Sequence, residues 1–323
     1  LFTAPVVVIN TGSRAAIPPI NGLQDTPFLT DHNFWDLEAL PRRAAVIGGG
    51  YIGLELGQGL ARLGTEVHIF EQGQRILATE AEPISAILRE ALGRDGVNIH
   101  ENTSIEQVAY NEATFRLESA GQRWEAEALL VATGRTPNTA ALNLEGAAIE
   151  RDERGYINVS AQFETTLRSV YAIGEVAGQP AFTHVAWEDY RRLLDLLNGG
   201  GRRRDDRVLG YAVFTEPQVG RAGLSLEQAQ AMGYRTATAR MELGHMARAL
   251  EWGHDLGFYQ IVADRDTGHL LGAELVGYET AELVHVFLDL IEKGTTLAEL
   301  GRWQHIHPTY AENFPTLARM ADA

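Results

Sequence analysis

The feature that most constrains this chain is the run Gly48-Gly49-Gly50-Tyr51-Ile52-Gly53, which sits between an apolar segment and a helical pattern. Ala44 to Gly48 reads as a short buried strand ending in a turn signal. From Ile52 to Leu63 the residues Ile52, Leu56, Leu60 and Leu63 recur at helical spacing. Glu66 to Glu71 reads as a second strand that ends in an acid. Gly48 permits a tight turn, Gly50 lets a diphosphate approach the backbone, and Gly53 lets helix and strand pack closely. The helix start offers N–H groups and the positive end of its dipole to phosphates. Glu71 is placed to accept hydrogen bonds from an adenosine ribose. A glycine turn in an unliganded α/β unit is the plain alternative. Strand, loop, helix, strand and acid in this order point instead to a dinucleotide. A 2′-phosphate beside Glu71 would oppose like charges at short range, so NAD is favoured over NADP, with Arg75 placed to soften the repulsion.

The rest of the chain extends that unit. Pro5 to Asn10 and Val170 to Gly174 read as short buried strands, and residues 15–41 as an irregular crossing segment. Helices are predicted over 81–92 and 185–197, with a β-rich stretch over 97–131 that ends in Ala128-Leu129-Leu130-Val131. This β-α-β-α-β order predicts a parallel sheet with helices on its faces. Gly199 to Asp206 combines three glycines, three arginines and two aspartates, which reads as a solvated linker and a domain boundary. Beyond it, strands near 209–215, 234–241, 257–264 and 269–277 alternate with helices near 225–232 and 279–293, an α+β pattern. Ser225-x-x-Gln228 and Thr296-x-x-Glu299 are expected capping boxes.

Composition removes several function classes. With 27 Lys plus Arg against 43 Asp plus Glu, the net charge is −16, which argues against a nucleic-acid or anionic-membrane partner. The chain has no cysteine, which excludes thiolate metal sites and cysteine nucleophiles within it. No apolar run is long enough to span a bilayer and no signal peptide is visible, so a cytoplasmic protein is expected, and no metal site is indicated.

Five segments in order resemble the flavoprotein disulfide reductases, the family of dihydrolipoamide dehydrogenase, glutathione reductase and mercuric reductase. They are Asn10-Thr11-Gly12-Ser13-Arg14, then Gly48 to Glu55, and Ala132-Thr133-Gly134-Arg135-Thr136-Pro137-Asn138. Tyr171-Ala172-Ile173-Gly174-Glu175 and His305-Ile306-His307-Pro308-Thr309-Tyr310-Ala311-Glu312 complete the set. The resemblance implies an α/β fold. A Rossmann-like NAD-binding domain (36–137) would be inserted in a partial FAD-binding domain (1–35 and 138–205), followed by an α+β dimerisation domain (209–323). It implies electron flow from NADH through FAD and a cysteine pair to a disulfide, a metal ion or another small-molecule acceptor.

Roles follow residue by residue from the same resemblance. Gly48, Gly50, Ile52, Gly53 and Glu71 would hold NAD, and Ile105 and Gly134 would border its adenine and nicotinamide side. Tyr51 would cover the flavin face and Glu55 would lie near it, while Gly12, Glu175 and Thr183 would touch FAD. His307 would exchange a proton with a thiol, with Glu312 on its other ring nitrogen; His305 could simply pack. The chemistry suits the types, because imidazole titrates near neutral pH and a carboxylate can orient it. In the family a homodimer lends this histidine to its partner's flavin. Ala281, Val284, Leu288 and Ile291 form an apolar stripe suited to such an interface, with packing on its own sheet as the alternative that part of it is expected to follow.

The sequence departs from the family in three ways. The first FAD glycine loop and the cysteine pair, which precede the Leu1 position in relatives, are not in this sequence. The usual Gly-Asp of the second FAD motif is Gly174-Glu175. No C-terminal cysteine pair is present to receive mercury. An N-terminally truncated chain with weak or lost FAD binding and no disulfide turnover of its own is the expectation. A catalytically silent NAD-binding dimer and a non-thiol diaphorase are the alternatives.

Overall fold

The computed structural model describes residues 3–322. The chain starts with β1 (Val7–Ile9) and β2 (Ser13–Ala15), then crosses an irregular stretch. Next come β3 (Arg43–Ile47), α1 (Tyr51–Arg62), β4 (Glu66–Phe70), α2 (Glu82–Arg94) and β5 (Val97–His100). A meander follows, β6 (Gln107–Asn111), β7 (Thr114–Ser119) and β8 (Gln122–Ala126), and then β9 (Ala128–Val131) and β10 (Arg135–Pro137). β11 (Val170–Ala172) and α3 (Thr183–Leu197) precede the C-terminal part. That part comprises β12 (Gly210–Val213), β13 (Gln218–Gly223), α4 (Leu226–Ala231), β14 (Thr236–Glu242), α5 (Ala247–Trp252) and β15 (Phe258–Asp264). It ends with β16 (Leu270–Gly277), α6 (Thr280–Glu292), α7 (Leu297–Leu300) and α8 (Phe314–Asp322).

Two compact units result, and both are discontinuous in sequence: residues 1–18 with 133–207, and residues 19–132 with 208–323. In the second unit a parallel sheet runs in the order β5-β4-β3-β9. Alternation along β4 assigns its faces. Val67 and Ile69 meet α1, where Gly57 leaves room for Ile69. His68 and Phe70 point the other way, and Trp124 of the meander packs on Phe70 at 4.9 Å between ring centres. Helices thus cover one face and the meander the other, as a parallel sheet requires.

The C-terminal sheet is antiparallel, in the order β12-β13-β16-β15-β14. One face carries Ala222, Ala273, Leu275, Tyr259 and Ile261 against α6 and α8, with Phe287 and Phe314 in edge contact at 4.7 Å. The opposite face presents Val213, Val219, Val276 and Phe258, which join Val46, Leu54 and Val67 in one hydrophobic cluster. Both expected capping boxes form, at Ser225/Gln228 and at Thr296/Glu299.

The stripe on α6 packs on its own sheet, the alternative that its spacing also allows. Val284 is buried, and Leu288 and Ile291 pack against the core of their own unit. The glycines of the sheet make room for it: a Cβ at Gly210 would meet Leu288 and one at Gly220 would meet Val284. This face of α6 therefore holds the helix to its own sheet.

In the first unit, β1 pairs with β11 in parallel and β2 with β10 antiparallel. The segment after α3 is largely exposed and runs to the end of the first unit, as a solvated linker would, but ion pairs tie it to the helix before it. Arg202 pairs with Glu188, Asp206 with the buried Arg192, and Arg207 with the fully buried Asp189, all on α3. The linker charges find their partners on the helix before them, which draws the segment onto its surface. Among the described residues, no helix is long and apolar enough to cross a membrane.

Candidate functional site

The nucleotide motif is built in the second unit. β3 ends at Ile47, and Gly48 turns with φ +112° while its N–H donates to the Phe70 carbonyl at 2.8 Å. Only glycine adopts that φ at low cost. A Cβ at Gly53 would lie 2.1 Å from the Gly48 carbonyl oxygen, so α1 crosses the strand end on bare backbone. Gly50, the residue before α1, has nothing within 4 Å of an ideal Cβ, and no side chain caps the helix start. A diphosphate group fits such a place: open space beside backbone, an uncapped helix N-terminus, and the dipole's positive end. Tyr51 opens α1 half-buried against the core, with the half-buried Ile52 beside it.

Glu71 follows β4 and its carboxylate turns toward this loop. Oε2 accepts the Gly49 N–H at 2.8 Å and Oε1 accepts the Gly73 N–H at 2.6 Å. An ionised carboxylate has about four acceptor positions, so two such bonds leave capacity for ribose hydroxyls. Arg75 does not reach back to this carboxylate; its Nη2 donates to the Ala78 carbonyl at 3.0 Å. Ile105 is buried at 6% exposure, in the loop that follows β5.

Glu55, on α1, has a role visible only in three dimensions. Its Oε1 accepts the Phe214 N–H at 2.8 Å, joining α1 to the loop after β12. One turn on, the buried Gln58 pairs reciprocally with the backbone of Glu216. Burial raises the Glu55 pKa above the ordinary 4.5, partly opposed by the Phe214 bond. Folding therefore favours the protonated form, and that contribution is largest below about pH 4.5 and declines as pH rises. Glu55→Gln keeps an acceptor for Phe214 and removes the charge. Its stability relative to the parent is expected to improve between pH 4 and pH 7, read from urea midpoints; an unchanged difference would contradict this.

Three other motifs meet in the first unit. The Asn138 side chain donates to the Thr11 carbonyl at 3.0 Å, and the Asn138 N–H donates to the Gly12 carbonyl at 2.9 Å. Gly134 (φ +120°) accepts from the Ala16 N–H at 2.9 Å. Glu175 lies in a single 3-10 turn and accepts from Arg135 Nε at 2.9 Å and from the Ser13 hydroxyl. Arg135 and Ser13 thus hold the Glu175 carboxylate, a pairing the motifs alone did not single out, although both residues lie inside them. The Glu175 side chain keeps 24% exposure, so it still reaches solvent as an acceptor. Thr183 starts α3 and is exposed.

The third cluster is His307 and Glu312, joined Nδ1 to Oε2 at 2.7 Å. Glu312 is 14% exposed and His307 is 73% exposed, so the carboxylate is the fixed partner and the ring faces solvent. Thr309 and Glu312 form a further capping box, which is why the carboxylate is held. Arg248 of α5 donates through Nε and Nη2 to the Pro308 carbonyl at 3.1 and 2.7 Å. No local pattern marks Arg248 in the sequence. His305 packs edge-on against Phe314.

The chain compares closely with known proteins. Residues 2–189 match the pyridine nucleotide-disulphide oxidoreductase domain and residues 209–318 match that family's dimerisation domain. A mercuric reductase of Acidithiobacillus ferrooxidans is 36% identical over 91% of this chain and 53% of its own length. A dihydrolipoyl dehydrogenase of Halobacterium salinarum is 32% identical over 94% and 65%. The probable pyridine nucleotide-disulfide oxidoreductase RclA of Escherichia coli is 32% identical over 96% and 71%. A solved structure of RclA from Escherichia coli, titled a HOCl-induced flavoprotein disulfide reductase, superposes with a TM-score of 0.90 at 30% identity, covering 98% of this chain and 73% of that one. The chain thus spans between about half and three quarters of the length of these relatives. By its two domain matches and these relatives, the chain belongs to the pyridine nucleotide-disulphide oxidoreductase family.

Proposed function

We propose that this chain is the NADH-binding and dimer-forming part of a flavin-dependent oxidoreductase. In the whole protein, electrons would pass from NADH through FAD and a cysteine pair to a disulfide, a metal ion or another small acceptor. The observation that carries the reading is the turn of Glu71 toward an uncapped, glycine-lined helix start. Gly48, Gly50 and Gly53 give the diphosphate its approach and Glu71 binds the ribose hydroxyls, with Ile52 and Ile105 along the nucleotide. FAD, when bound, supplies the hydride acceptor, and Gly12, Glu175 and Thr183 are the residues of this chain assigned to hold it. His307 holds and moves the proton of the thiol chemistry through Nε2, while Glu312 fixes the ring and stabilises its cationic form.

The cofactor preference has a direct test. NADPH would place a phosphate dianion beside Glu71, and Arg75 is turned to its own loop. NADH is expected to bind at least about tenfold more tightly than NADPH by calorimetry, a difference of about 1.4 kcal/mol. Glu71→Gln should narrow the gap. Equal affinities for the parent would rule out the preference.

Self-association rests on the side chains left outside the core. Phe214, Leu250, Trp252, Trp303 and Ile306 are each about half or more exposed, within the span that matches the dimerisation domain. Sedimentation at micromolar concentration is expected to give twice the 35.4 kDa chain mass. A monomer under those conditions would remove the dimer from the proposal.

A further inference from the structure

One polar row crosses the C-terminal sheet on the face that turns toward the nucleotide motif. Strand register aligns Tyr211 with Arg221, Arg221 with Glu274, Glu274 with Gln260, and Gln260 with Arg240. The next row on that face is apolar: Val213, Val219, Val276 and Phe258. A sixth polar group enters from the other half of the unit. Glu80, in the turn before α2, receives the Tyr211 hydroxyl on Oε1 at 2.5 Å and Arg221 Nη1 on Oε2 at 3.1 Å. The same Nη1 donates to Glu274 at 2.5 Å. Glu80, Arg221 and Glu274 are 4%, 5% and 1% exposed.

Such a cluster is a poor device for stability alone, because an apolar replacement of the same volume would serve as well or better. Its position suggests another use. The Glu80 N–H donates to the Leu77 carbonyl at 2.9 Å, and the Leu77 N–H donates to the Gly49 carbonyl at 2.8 Å. Gly49 in turn donates to the Glu71 carboxylate. Ile76 and Leu77 between them are buried, and Ile76 lies against Gly49. A short relay thus leads from the C-terminal sheet to the glycine loop. We propose that Arg221 and Tyr211 are positioning residues for the nucleotide site: by holding Glu80 they set the 71–80 turn, which fixes Gly49 and the Glu71 carboxylate. The inference rests on the reading of that loop as the NADH site.

The test compares Arg221→Met with Leu300→Ala, a cut in the C-terminal core that does not touch Glu80. Three readouts are taken: melting temperature, NADH affinity by calorimetry, and hydrogen exchange at the Leu77 amide. Arg221→Met is expected to weaken NADH binding about tenfold and to speed exchange at Leu77. Leu300→Ala is expected to lower the melting temperature while leaving NADH affinity within about twofold. If Arg221→Met does not fold, Tyr211→Phe decides, with an expected loss of about threefold. Unchanged affinity in the polar-row variant overturns the proposal, and so does an equal loss in Leu300→Ala. If the parent itself binds no NADH, the nucleotide reading has failed. Leu77 exchange then decides the bracing alone: faster in the polar-row variant than in Leu300→Ala supports it, equal rates overturn it.

Discussion

Gly53→Val is expected to destabilise the second unit by about 3 kcal/mol or more and to abolish measurable NADH binding. Overpacking in a core typically costs about 1–3 kcal/mol when side chains can shift. Here the first atom struck is the Gly48 carbonyl oxygen, 2.1 Å from the new Cβ, and the next is Val46 Cγ1 at 3.2 Å. Gly48 cannot retreat, because its N–H is bonded to Phe70 and the strand before it is paired on both sides. The helix must move away, which breaks the helix-start geometry that phosphate needs. Gly50→Ala is the informative companion. Its Cβ would meet no protein atom within 4 Å, and its backbone, φ −79° and ψ 177°, suits alanine. Stability should therefore stay within about 0.5 kcal/mol, while NADH affinity falls because the methyl group occupies the diphosphate's approach. Urea unfolding and calorimetry separate the two effects. Full NADH affinity in Gly50→Ala would place the diphosphate elsewhere.

Asp189→Ala is expected to cost the first unit about 3–5 kcal/mol, the range for removing one partner of a buried ion pair. Asp189 is fully buried; one oxygen accepts the Gly174 N–H at 2.8 Å and the other pairs with Arg207. Alanine leaves Arg207 without its carboxylate and the Gly174 N–H without its acceptor, beside the turn that carries Glu175. Asp189→Asn can restore the Gly174 bond but not the charge, so it should recover only part of the loss. Unfolding followed by tryptophan fluorescence reads the order, since Trp187 lies on α3. A neutral Asp189→Ala would mean that Arg207 finds water instead.

What the sequence disclosed was local. His307 and Glu312 are five residues apart and are found hydrogen bonded. Ser225/Gln228 and Thr296/Glu299 stand at helix-cap spacing and cap helices. The glycine loop could be read because Gly48 answers a local turn and Gly53 a local contact, both within one βαβ unit. β13 escaped the strand assignment, since Gln-Val-Gly-Arg-Ala-Gly has little β-propensity of its own. Pairing on both sides makes it a strand, and α6 pressing on Gly220 explains the glycine. The partnership of Glu80 with Arg221 joins distant positions, and nothing local marks either residue. The α6 stripe shows the limit of periodicity: it reveals that a helix has an apolar face, but not which surface will cover it.

The shared core of the second unit also bears on how the chain is made. β3, α1, β4, α2, β5 and β9 leave the ribosome early and have their parallel ladders within reach of one another. Yet Val213, Val219, Phe258 and Val276, which complete the cluster around Val46 and Leu54, come only after the first unit's remaining strands and helix. At the usual synthesis rates of about 5–20 residues per second, that interval is roughly 7–30 s. During it the nascent half-unit carries uncovered apolar surface, which makes it a natural client for a holding chaperone. A slower or stalled ribosome between β9 and β16 would lengthen the window and raise the fraction lost to aggregation, with no change in the finished protein.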